Sequence, residues 1–286
     1  MRRDLFAIGD RSLSGEYGRV FCIGALKGES AQIRRLFSVG DTALRECRIG
    51  KGRMTGGFSL ADGAAADLAV TGGADFQGVC RIERLKCCGN LTAELLECRL
   101  LCCGAEHDPV QDSSSLRWSG AIRTETLEYA RQVALNCDLD CKNLLLSAEA
   151  AFSGEIACEN FFAFAPFTGE MVNAETIFFY PFSGTSVDAV VGSRIVAGTA
   201  LQPELGFSAI PKYSGNRPYS RCRPPERGVA SAGEIEGDQV ELTRVRAERV
   251  SGGDVVIGEL CVIGQVRYRN SIQISDRAAV GEVIRE

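Results

Sequence analysis

Residues 19–56 read RVFCIGALKGESAQIRRLFSVGDTALRECRIGKGRMTG, with glycines at a constant interval at Gly24, Gly40 and Gly56. Four residues before each of these glycines stand Val20, Leu36 and Gly52, and two residues before stand Cys22, Ser38 and Met54. Five residues before stand Arg19, Arg35 and Lys51. Side chains of a strand alternate between faces, so offsets four and two share an inner face and offset five points the other way. A helix would set offsets four and five on neighbouring sides and could not separate apolar from charged residues in this manner.

Outward from this stretch, Gly72, Gly89, Gly104 and Gly120 continue the series at nearly the same interval, Asn136 fills the next slot, and Gly154, Gly169 and Gly184 follow. Asn is the residue that best replaces Gly where the backbone turns left-handed, so a recurring tight corner accommodates the exception. After a gap, Gly237, Gly253 and Asn270 resume the phase. The inner columns extend through Leu68, Leu85, Leu100 and Leu116, and through Val70, Cys87, Cys102, Trp118, Ala134, Phe152, Phe167 and Phe182. A period near 16 is too short for helix-pair repeats and suits one coil of a solenoid. The expected fold is all-β, a single-stranded parallel β-helix (β-solenoid) of about 16 residues per coil.

Four segments are expected: a flank or cap at 1–18, a main solenoid at 19–200 with a polar loop at 105–115 (AEHDPVQDSSS), a linker or surface loop at 201–232, and further coils at 233–286. Residues 201–228 hold five of the eight prolines, which cannot donate to a strand ladder. A solenoid exposes strand edges at its ends, and an end-to-end contact between copies propagates without closing.

Composition narrows the function. The single histidine, His107, excludes multi-histidine metal centres, and no cofactor is expected. Thirteen cysteines, an odd number, with no secretory leader and no apolar run of about 20 residues, point to reduced thiols and a cytoplasmic chain. Peripheral attachment at the membrane is left open. The net charge of −5 and the absence of a recognition motif argue against nucleic acid as a partner.

The stretches FCIGALKG, FSVGDT, LKCCGNLTAE and LLCCGA, the repeats FSGEIACENF and FTGEMVNAETI, and the tail GDVVIGELCVIGQVRYRNSIQISDRAAVGEVIRE resemble the bactofilin-like, polymer-forming cytoskeletal proteins of bacteria, in a variant of Gram-positive genomes. The resemblance runs from about Tyr17 to the end. It implies a right-handed β-helix that polymerises without nucleotide and scaffolds envelope or cell-shape processes. Its partners would be further copies of itself, with a membrane surface or envelope proteins as additional ones. A typical member is one shorter β-helix, whereas this chain is longer, interrupted twice and rich in cysteine.

Three constellations invite a sharper reading. The pairs Cys87-Cys88 and Cys102-Cys103 suit a narrow core better than a metal, because their spacing is not that of paired Cys-x-x-Cys sites. Arg19, Arg35, Lys51, Arg84 and Arg99 form an outward basic stripe, within a first part (1–104) of 15 basic against 12 acidic residues; residues 105–286 carry 17 against 25. This polarity could steer copies head to tail or set the stripe against anionic lipid, or the stripe is a plain solvated face. Nine of 21 aromatics fall between Phe152 and Phe182. Phe164 and Phe179 occupy the outward offset there, and the neighbours Phe161-Phe162 and Phe178-Phe179 cannot share one face. The residues Phe161, Phe162, Phe164, Phe178 and Phe179 are therefore a candidate interface, either between molecules or covered by the 201–228 segment.

Catalysis finds little in the sequence. A hexapeptide acyltransferase needs a six-residue repeat. The acids from Asp138 to Asp188 sit at varied offsets rather than as a dyad. The expectation is a nonenzymatic self-associating scaffold. The alternatives are a monomeric β-solenoid module binding a protein or anionic lipid, and a pectin-lyase-like carbohydrate enzyme.

Overall fold

A computed structural model describes residues 3–103, 116–129, 133–199, 225 and 228–286. The chain divides into two compact units, Met1–Asp140 and Cys141–Glu286. Both are parallel β-solenoid, and the two are taken in turn.

The first unit contains β1 (Arg3–Ile8), β2 (Arg11–Ile23), β3 (Leu26–Val39), β4 (Thr42–Arg45), β5 (Arg48–Thr55), β6 (Phe58–Ala61), β7 (Ala64–Thr71), β8 (Ala74–Cys87), β9 (Leu91–Cys103), β10 (Leu116–Tyr129) and the start of β11 (Val133–Leu146). Val20 pairs with Leu36, Leu36 with Gly52, Gly52 with Leu68, Leu68 with Leu85 and Leu85 with Leu101. The leucines and Val20 in this column are at most 3% exposed. Gly52 leaves room that its neighbour uses, since a Cβ there would stand 2.7 Å from Leu68 Cδ2. The parallel column Cys22, Ser38, Met54, Val70 and Cys87 is buried as well. Ser38 is tolerated inside because the Thr42 hydroxyl donates to its Oγ at 2.8 Å, which satisfies both polar groups.

The glycine markers are corners. Gly24, Gly40, Gly56 and Gly72 have φ of 121° to 132°, a region closed to ordinary side chains. They also stack: a Cβ on Gly40 would stand 2.6 Å from the Gly24 carbonyl oxygen, and one on Gly56 2.7 Å from that of Gly40. A second left-handed corner went unread in the sequence, at Gly15, Ser30, Glu46, Asp62 and Gly78. It too recurs once per coil, but only its ends are glycine. Its polar members bond along the stack instead, Ser30 Oγ to Glu46 Oε2 at 3.0 Å and the Val79 amide to Asp62 Oδ1 at 3.3 Å.

Two expected columns lose their phase. Cys87 pairs with Cys103 and Leu85 with Leu101, so Cys102 and Leu100 are not the inner members. Gly104 follows Gly89 one position sooner than the coil repeats, and a one-residue slip exchanges the faces. Gly120 pairs with Ala93 rather than standing at the glycine corner. The spacing between paired residues lengthens here, since Leu91 pairs with Trp118 whereas one coil earlier Ala74 pairs with Leu91. The loop expected at 105–115 lies outside the described residues.

The second unit contains the end of β11, then β12 (Ala150–Phe152), β13 (Glu155–Ala163), β14 (Phe167–Phe179), β15 (Ser186–Ala197), β16 (Ala230–Leu242), β17 (Val245–Ile257), β18 (Val262–Ile274) and β19 (Ala279–Arg285). Its longest inner column runs Ile156, Val172, Val190, Ile235, Val250 and Val266, each 0–2% exposed. Burial of such a side chain contributes about 1.5–3 kcal/mol, which is what holds successive coils together. Coil length varies in this unit, from the short step between Ala230 and its partner Val245 to the longer one between Thr168 and Ser186. Markers at a strict interval therefore drift out of phase. Gly237 pairs with Gly192 and Gly252, not Gly253. The long step to Ser186 leaves Phe182 short of the inner column, and it packs on Tyr180 instead.

Candidate interaction surfaces

The aromatic region of the second unit resolves into two sets by strand alternation. Phe161, Phe167 and Phe179 turn inward: Phe167 meets Phe161 edge-on at 5.2 Å and Phe179 at 5.7 Å, and stacks on Phe152 at 6.3 Å. Phe162 pairs with Phe178 and Phe178 with Val196, on the opposite face of the same strands. They form a separate cluster with Leu145, Phe164 and Tyr180, in which the rings of Phe164, Phe178 and Tyr180 meet at 5.4 to 6.0 Å.

All five expected interface residues are buried, at 0% (Phe161), 1% (Phe162), 4% (Phe164), 0% (Phe178) and 1% (Phe179). The outward placement of Phe179 is corrected, because its pairing with Ala163 puts it on the inner face. Phe162, Phe164 and Phe178 do leave the inner face, yet present no bare surface. The 201–228 segment, the expected cover, lies outside the described residues except Pro225 and Gly228. Pro225 and the residue after the segment contact this unit: Arg244 Nη1 donates to the Pro225 carbonyl at 3.0 Å, and the Val229 amide to Ser183 Oγ at 3.4 Å.

The basic stripe is in register over three coils, since Arg19 pairs with Arg35 and Arg35 with Lys51. Asp67 follows Lys51, and Arg84 follows Asp67. The Asp67 carboxylate lies 3.6 Å from Lys51 Nζ and 3.2 Å from Arg84 Nη2, and Asp4 lies 4.0 Å from Arg19 Nε. Arg84 pairs with Leu100, so Arg99 is exposed but stands outside the stripe, again through the one-residue slip. The acids thus neutralise both ends of the row. Arg35, between Arg19 and Lys51, makes no ion pair among the described residues.

Beside this row lies a surface that the sequence reading missed. Phe6 pairs with Phe21 and Phe21 with Phe37, while Ile8 pairs with Ile23 and Ile23 with Val39. The rings form a ladder, with centroids 6.4 Å apart at the first step and 5.0 Å at the second, where the planes are 5° from parallel. Phe6 is 68% exposed, Ile8 80%, Ile23 42%, Phe37 39% and Val39 37%. The signal was legible: Gly9, at φ 91°, is a corner one coil before Gly24, and these residues stand three and one positions before Gly9, Gly24 and Gly40.

The described thiols include seven that are buried: Cys22, Cys47, Cys80, Cys87, Cys98, Cys141 and Cys261. Burial pushes the Cys87 thiol up to about 11 and the Cys98 thiol up to about 12, because the thiolate would lose its hydration. Cys98 donates to the Leu100 carbonyl at 3.1 Å and Cys80 to that of Leu60 at 3.2 Å. They act as small core residues that remain protonated. No group of three or more His, Cys, Asp or Glu suited to a metal occurs among the described residues, and His107 is not one of them. Of the acids from Asp138 to Asp188, Glu159 pairs with Lys142 at 3.0 Å and Glu155 accepts from Asn173 at 2.9 Å.

Among the described residues no helix is long and apolar enough to cross a membrane. No protein-family profile, no curated protein and no solved structure matches the chain.

Proposed function

We propose that this chain is a nonenzymatic, self-associating scaffold of the bactofilin-like, polymer-forming kind, working in the cytoplasm to organise envelope or cell-shape processes. The observation that supports this reading is the exposure of inner-column residues on β18 and β19. Val283 pairs with Val266 and continues the longest inner column, yet Val283 is 46% exposed where Val266 is fully buried. Ile274 continues the column of Leu242 and Ile257, and is 40% exposed against 0% and 1%. The inner face of the solenoid is therefore open at β18 and β19, beside the backbone ladder of β19. A strand added there from a second copy gains apolar burial and main-chain hydrogen bonds together. On β1 and β2, by contrast, Arg3 lies over the Tyr17 ring at 4.6 Å and donates to its hydroxyl at 2.7 Å, a polar contact on that inner-column residue.

Sedimentation velocity and negative-stain microscopy of the purified chain test this, over a range of protein and salt concentrations. The wild type is expected to form assemblies that grow with concentration. Val283→Arg, which sets a charge in the open column, is expected to remain monomeric with an unchanged circular dichroism spectrum. Monomer mass for the wild type at every concentration overturns the reading.

A further inference from the structure

We infer that the ladder of Phe6, Phe21 and Phe37 with Ile8, Ile23 and Val39 is a docking face for an anionic lipid surface. The six side chains stand on the outer face of three successive coils, where nothing in the solenoid core needs them. On the fourth coil the same two columns turn polar: Phe37 pairs with Arg53 and Val39 with Thr55, and the next residues along are Ala69 and Thr71. The apolar character is thus confined to one patch, most exposed at its first coil, with Phe6 at 68% and Ile8 at 80%.

Charge points to the occupant. Arg19, Arg35 and Lys51 run along one side of the patch, two positions from the ring column and so on the same face of the strands. Arg53 closes its far end. Arg19 and Lys51 are paired with Asp4 and Asp67, so the uncompensated charge is that of Arg35 and Arg53, which form no ion pair among the described residues; all four cations are exposed. Apolar side chains that insert, framed by cations at the level of phosphate groups, are what a peripheral anionic-membrane contact requires.

Size points the same way. Three strands and two columns span roughly 10 Å by 7 Å. A stable contact with a second copy needs about 800 Å² from each partner, far more than this patch offers. A bilayer needs only a few inserted side chains and favourable charge. The patch belongs to the first unit, whereas the self-association proposed above rests on β18 and β19, so each reading can fail without the other.

Flotation of the full chain with vesicles tests the inference, comparing phosphatidylcholine alone with a mixture containing phosphatidylglycerol. All samples are run in the Val283→Arg background as well as the wild type, which separates single-site binding from avidity. Binding is expected to the anionic vesicles only, and to weaken with salt. Replacing Phe6, Phe21 and Phe37 together by Ser is expected to reduce it roughly tenfold or more, as is Arg35→Glu with Arg53→Glu. Both variants should keep the wild-type circular dichroism spectrum, and Arg246→Glu, a cation of the second unit, should bind as the wild type does. Equal binding to neutral vesicles, no binding to either kind, or undiminished binding by the serine variant overturns the inference. A fall in assembly mass on the serine substitutions, without vesicle binding by the parent, would overturn it too and assign the face to a second copy.

Discussion

Gly56 illustrates how much a single residue carries in a stacked coil. Its φ of 124° is one that side chains avoid, and a Cβ would stand 2.7 Å from the Gly40 carbonyl oxygen, which cannot yield without moving a ladder. Gly56→Ala is expected to cost about 1–3 kcal/mol in urea unfolding. Gly73, where a Cβ would meet nothing within 4 Å and φ is not positive, is the matched control and should tolerate alanine. The thiols make a second residue-scale prediction. Burial raises the Cys87 and Cys98 thiols, so the folded state holds protons that the unfolded chain releases near pH 9. Their stabilisation is whole below pH 9 and is lost as pH rises from there to about 11 for Cys87 and about 12 for Cys98. The slope is about 1.4 kcal/mol per pH unit for each thiol. Cys87→Val should flatten the fall in urea midpoint between pH 9 and 11 relative to the wild type; an identical fall in both proteins would count against it.

At the scale of strands, register decides what a residue does. Phe178 and Phe179 are neighbours, but one packs on Phe164 and Tyr180 and the other on Phe167. Phe179→Ala is therefore expected to destabilise the second unit by about 3–5 kcal/mol, read as a lower urea midpoint. A change of only about 0.5 kcal/mol or less, the scale of an ordinary surface substitution, would show that Phe179 is not a core residue. The inner columns of the first four coils were legible because Gly24, Gly40, Gly56 and Gly72 keep a constant interval. Arg99 and Cys102 were misplaced by a single residue, and a single residue is enough to reverse a face. The second corner was illegible for a different reason. Ser30, Glu46 and Asp62 share a backbone conformation but not a residue type, and their hydrogen bonds to neighbouring coils arise only once the coils are stacked.

At the scale of the molecule, the proposed self-association draws on the open columns at Val283 and Ile274, and charge bears on it too. Residues 1–104 carry 15 basic and 12 acidic side chains, and residues 105–286 carry 17 and 25. Head-to-tail contact would bring these opposite excesses together, so assembly should weaken with salt in the sedimentation experiment; assembly that strengthens with salt would leave apolar burial as the dominant contribution. Local information determined the fold class: a glycine at a constant interval and an alternation of faces are properties of short stretches, and they suffice to specify a parallel β-solenoid. Exposure was beyond its reach. The aromatics that looked outward at 161–182 are buried, while Phe6 and Ile8, unremarked in the sequence, are among the most exposed apolar residues. Burial depends on which coils lie beside a residue and on how much chain each coil spends, less from Ala230 to Val245 than from Thr168 to Ser186. Those quantities accumulate along the chain, and only the stacked structure contains their sum.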